Sequence, residues 1–196
     1  MRKSQLQAGL VAPLVAYSGI LTAIYVNRSW WKLTDNAISD LGKVGLSNKW
    51  LLNVPLVVTA ALAIYYAAGL LETARNSIEK AGTGMLIAGF AFLALIGIFP
   101  EGTSPHYYVS WCFFLTAGFG FLIAGVGMGL AGERGMLYFT VALFVLAWIL
   151  SVWAMRTFRG VAIPEFVGAL TITVWHYVVL LKFWGDEYAA LRAHKD

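Results

Sequence analysis

Charge is what this chain has least of. Only 12% of its 196 residues are Asp, Glu, Lys or Arg, where a soluble domain carries about 25%. Cysteine is nearly absent too: Cys112 stands alone inside an apolar run. That excludes an internal disulfide, a CxxC redox pair and a cysteine-based zinc site. Histidine is scarce, with three in all: His106, His176 and His194. None is spaced as HExxH or HxxxH, so the common zinc-enzyme signature is missing. Bis-histidine haem is disfavoured as well, because His106 lies near a run's end, His176 deep in another, and His194 in the tail. Polar residues near the middle of the apolar runs amount to His176, which leaves a transport pathway little to work with.

What fills the space is apolar surface. Hydrophobic residues make up 60% of the chain and the mean hydropathy is +0.73. No core of this size absorbs that much, so the excess faces lipid. Eight Trp and nine Tyr fit, since amphipathic rings collect at headgroup level. The net charge of +4 would suggest nucleic acid in a soluble protein. Here the cations sit in short loops, as topology determinants and contacts for anionic lipid.

An apolar run of about 20 residues crosses a hydrocarbon core of roughly 30 Å. Six such runs are present, at about 7–26, 50–71, 81–99, 108–131, 136–155 and 164–184. The first follows Arg2 and Lys3 but exceeds a signal peptide's apolar stretch and is not followed by a small-residue cleavage site, so a retained helix is expected. Pro100, Pro105 and Pro164 stand at run boundaries, where a missing N–H costs least. The expected fold is all-α: one integral membrane bundle of six transmembrane helices, covering 1–196.

With the N-terminus inside, eight Lys and Arg fall on the inner side (2, 3, 75, 80, 134, 182, 192 and 195). Six fall on the outer side (28, 32, 43, 49, 156 and 159). This favours a cell-membrane protein with both termini in the cytoplasm. Either way, six spans put the odd-numbered loops on one face, and the unusual polar residues are there. The first loop carries Asn36-Ala37-Ile38-Ser39-Asp40-Leu41-Gly42, the third Pro100-Glu101-Gly102 and His106, while Arg156, Arg159 and Glu165 flank the fifth. The even loops look plainer. In the fourth run, Gly125 and Gly129 are spaced for a close helix crossing.

His176 lies twelve positions past Pro164, roughly 18 Å into its helix. A group so deep either serves function or is a neutral histidine bonded to a hydroxyl or carbonyl. Glu101 and His106 share a short loop, and with Asp40 they compose a set suited to a divalent metal or to acid–base work. Ser39 joins them as a catalytic candidate, although Ser39 or Asp40 would equally cap a short interfacial helix that Gly42 ends. Arg156 and Arg159 could grip a phosphate or carboxylate. Asn53, just inside the second helix, is placed to bond across helices.

These residues carry a resemblance. Asn36 through Gly42, Asn53, Gly97-Ile98-Phe99-Pro100-Glu101 with His106, and Pro164-Glu165 together resemble an uncharacterised group of prokaryotic, often archaeal, multi-pass membrane proteins. The group is catalogued as a domain of unknown function, number nine hundred and ninety-eight. The resemblance spans essentially the whole chain and implies a six-helix bundle with Ser39, Asp40, Glu101, His106 and Glu165 as a set. It implies no substrate.

Three functions stay open on the residues. The leading one is a pocket on the odd-loop face that binds a lipid or small amphiphile, with His176, Glu165, Arg156, Arg159 and Asn53 as ligand-binding candidates. The second is a membrane-embedded, metal-assisted hydrolase or transferase acting on lipid head groups, using His106, Glu101, Asp40 and Ser39. The third is an accessory subunit, whose partner is another protein or a second copy of the chain.

Overall fold

Apolar segments in lipid must satisfy their backbone groups internally, and an uninterrupted run of such residues does so as a helix. The computed structural model of the chain describes the backbone of residues 1–193 and the side chains of residues 1–185. His194 and Lys195 lie outside the described residues, as does the side chain of Arg192. The helices are α1 (Lys3–Asn27), α2 (Trp50–Thr73), α3 (Ser77–Ile98), α4 (His106–Leu130), α5 (Arg134–Thr157) and α6 (Ala162–Ala193). All six are long and apolar enough to cross a membrane, and the described residues contain no strand. One turn of 3₁₀ helix, Ser39–Gly42, sits in the long first loop.

Five of the six helices start ahead of their apolar runs, and α3 and α4 are the two that matter for the site and the bundle ends. α3 starts at Ser77, because the Asn76 side chain accepts the Glu79 N–H at 2.8 Å and caps the helix. α4 starts at His106, behind Pro105 as N-cap. In both cases the first turn falls outside an apolar window, yet it holds a buried ionisable side chain: Glu79 and His106 are 3% and 5% exposed.

α3 and α4 cross most tightly, for a Cβ on Gly82 would collide with the Ala124 backbone. Gly125 and Gly129 make the close approach expected of them, and the partner is α5: added methyls would strike Thr140 and Leu137. α5 otherwise stands at the edge of the bundle, with Thr140 and Ala154 as its buried residues. Among the buried groups, Trp175 donates its indole N–H to Thr140 at 3.0 Å, tying α6 to α5.

Each end of the bundle is knitted by its own loops. At the even-loop end Arg75 pairs with Glu79 at 3.3 Å and with Glu133, while Lys182 reaches Glu133 at 2.9 Å. Burial pushes the Glu133 carboxyl up, but hydrogen bonds from Lys182 and Arg75 outweigh it and hold the group below 4.5. The even loops are therefore less plain than their sequence suggests. At the odd-loop end the joins are mostly backbone: Val44 N–H to Glu101 O at 2.8 Å, Gly160 N–H to Thr34 O at 2.8 Å, and Ala162 N–H to Asn36 O at 2.9 Å. These bonds fold the first loop across the helix ends as a cap.

Candidate functional site

Beneath that cap, α1, α2, α3, α4 and α6 line a cavity of about 120 Å³. Its walls are apolar, with Ala16, Leu56, Phe90, Phe113 and Ile172 among them. Polar groups stand near its two ends. Ser39, Ser110 and Glu165 lie toward the odd-loop end, and His176 lines it deeper in. Glu165 and His176 share α6 and are about 16 Å apart along its axis, at 1.5 Å per residue.

Glu165 is held by the capping loop. Its Oε2 accepts the Ile38 N–H at 2.5 Å, and the charged groups acting on it are two further carboxylates, Asp40 and Glu101. Among the described residues no Lys or Arg pairs with Asp40, Glu101 or Glu165. Asp40 turns into its own loop, where Oδ2 accepts from the Ala37 N–H at 2.9 Å and from the Asn36 amide at 3.0 Å. The short helix expected around Ser39–Gly42 is present, and it is Asp40 that satisfies the approach to it.

His106 faces inward from the first turn of α4. Its Nδ1 lies 2.8 Å from Phe99 O, and Nε2 lies 3.1 Å from Glu101 Oε2 and 3.3 Å from Ser110 Oγ. Ser39 Oγ also donates to Glu101 Oε2, at 3.4 Å. Ser39, Glu101, His106 and Ser110 thus form a chain whose two hydroxyl ends both reach the cavity wall.

His176 has a partner that explains its depth. Pro13 has no N–H to give to the carbonyl one turn back, so Gly9 O is left without its helical donor. His176 Nε2 supplies the bond at 2.7 Å, and the ring packs on Tyr66 with centroids 4.4 Å apart. The buried histidine is a clamp between α1 and α6 as well as part of the cavity lining.

The family profile described as "Protein of unknown function (DUF998)" matches residues 10–182. The chain belongs to this family. No curated protein and no solved structure matches it. The DUF998 match takes in the capping loop and all of the cavity lining, from Ala12 to His176.

The candidates read from the sequence of this DUF998 protein separate into groups. Ser39, Glu165 and His176 line the cavity, and Glu101 and His106 pair beside it. Asn53 does not line it: its amide donates to Gly42 O at 2.9 Å and braces the 3₁₀ turn. Arg156 and Arg159 are exposed at the odd-loop end of α5 and in its loop, and neither lines the cavity. His106, Glu101 and Asp40 do not assemble into a metal-binding group, since no three His, Cys, Asp or Glu side chains converge among the described residues. Asp40 is spent on its own loop. Ser110 was not among the candidates. Its signal was the spacing of four from His106, which places both on one helix face, and it was hidden by starting the fourth helix at Tyr108.

Proposed function

We propose that this protein binds a lipid or small amphiphile in the capped cavity, apolar end inward and polar head at Glu165 and Ser39. The carrying observation is the cavity's polarity: apolar walls, with a carboxylate at the loop end that no Lys or Arg among the described residues meets. Its oxygens are hydrogen-bond acceptors, so the head group it suits carries N–H or O–H donors, such as an amine. The volume of about 120 Å³ approaches the ~150 Å³ of an apolar cavity that holds benzene, so about six carbons fit inside. With both termini in the cytoplasm, the capped end faces outward from the cell membrane.

Native mass spectrometry of the detergent-purified protein tests this reading, with Ala169→Phe as the comparison. Ala169 lines the cavity, and a benzyl group there takes up most of the space. The expected result is a stoichiometric extra mass on the wild type that the variant lacks. An extra mass of equal abundance on both, or on neither, would count against the site.

A further inference from the structure

We infer that Ser110 and His106 form a nucleophile–base pair that cleaves carboxylic esters whose acyl chain lies in the cavity. The inference rests on the cavity being a ligand site, and adds a reaction to it.

The hydroxyl of Ser110, like those of Ser4, Thr59 and Thr173, is bonded to something other than its own helix's carbonyls. Thr83, Thr157 and Thr171 each bond back to the carbonyl four residues earlier, at 2.7–2.8 Å, the ordinary destination for such a group. Ser110 instead meets the ring of His106, 3.3 Å from Nε2, and lines the cavity. The tautomer needed for activation follows from the other nitrogen. Phe99 O can only accept, so Nδ1 at 2.8 Å is the donor. In the neutral ring Nε2 is then bare and accepts the serine proton; in the imidazolium it donates to Glu101 Oε2, the nearer of its two partners at 3.1 Å. A nucleophile, a base within reach of it, and a third group that orients the base are the parts covalent catalysis requires. Glu101 Oε2, 3.1 Å from Nε2, lies where it stabilises the imidazolium once the proton has moved.

Depth points to the substrate class. Ser110 is four residues, about 6 Å, into α4 from its outer end, just below the headgroup level where ester linkages of amphiphiles lie. The apolar walls continue inward from there. In the reaction, Ser110 Oγ bonds to the ester carbonyl carbon and its proton passes to His106 Nε2. The carbon–oxygen bond to the alcohol breaks, and the alcohol leaves with that proton. Water then attacks the acyl carbon and gives a proton to Nε2, which returns it to Ser110 Oγ as the acid departs.

Hexyl fluorophosphonate tests this on the full-length protein in detergent, because unactivated serines do not react with it. The expected result is one adduct per chain, mapped to Ser110, absent in Ser110→Ala, and formed about 100-fold more slowly in His106→Gln, the lower range for loss of a general base. Ser110→Ala removes one oxygen atom, so where the wild type holds cleavage product this variant should hold the intact ester, a heavier co-purified mass, with an unfolding midpoint near the wild type. No adduct on a wild type that retains its amphiphile overturns the reaction and spares the binding site. Neither adduct nor amphiphile overturns both. An adduct only at another serine, or one formed at the same rate in a folded His106→Gln, also overturns the reaction.

Discussion

The two ends of this bundle use the same residue types to opposite effect. At the even-loop end, Glu79 and Glu133 are each met by a cation, Arg75 or Lys182. At the odd-loop end, Asp40, Glu101 and Glu165 are met by backbone N–H groups, a hydroxyl, an amide and an imidazole. One set of charges is paired with cations and holds α3, α5 and α6 at their ends, although Glu133 Oε2 stays buried without a hydrogen-bond partner among the described residues. The other is left with acceptor capacity, next to the 120 Å³ cavity. Ion pairs that are partly exposed add little, about 0–1 kcal/mol each, so a protein can spare them from one end. What it gains there is an anionic, hydrogen-bonding mouth over an apolar interior.

This contrast predicts which variants lose ligand and which lose stability. The largest effect is expected from Ala169→Phe, with amphiphile retention cut by more than about 100-fold, since a filled cavity forfeits the whole apolar contact; the unfolding midpoint should stay near the wild type. Glu165→Gln keeps an acceptor for the Ile38 N–H but removes the charge. Retention of an amine-headed amphiphile, measured by titration, should fall about tenfold, in line with the ~1.5–3 kcal/mol of a charged hydrogen bond. At the other end, Glu79→Ala should reverse the pattern. It removes one of the two carboxylates that meet Arg75, whose side chain is 40% exposed and keeps Glu133, so a discounted loss of about 1 kcal/mol is expected in a denaturant titration, with amphiphile retention unchanged.

Acidity separates the ends as well. The folded state holds Glu133 below 4.5, so its ion pairs stabilise fully above that value and are lost as the pH falls through the folded one. Comparing wild type with Glu133→Gln, the difference in unfolding midpoint should be constant at neutral pH and shrink below 4.5. A difference that grew on acidification would contradict the pairing. The smallest effects belong to Arg156→Ala and Arg159→Ala, which should change stability and retention by no more than about 0.5 kcal/mol.

Length and hydropathy made the helices legible, because lipid leaves a spanning segment few other options. The ionisable side chains in their first turns were not, and those turns carry much of the chemistry: Glu79 and His106 sit where an apolar window stops. Glu165 and His176 were legible as ionisable groups in apolar surroundings. The partner of His176 was not, since linking Pro13 to a bare Gly9 carbonyl requires knowing that α1 and α6 are neighbours. The roles of Asp40 and Asn53 depend on the path of the capping loop, which no periodicity encodes. Arg156 and Arg159 shared a face with the site in the sequence, but a face is wide, and α5 stands at its edge.

The most direct test is native mass spectrometry of the protein released from a mild detergent, on wild type, Glu165→Gln and Glu79→Ala side by side. The account predicts a stoichiometric bound amphiphile on wild type and Glu79→Ala, and a depleted one on Glu165→Gln. The bare chain mass in all three, or equal occupancy in all three, would contradict the claim that the odd-loop end is the ligand site.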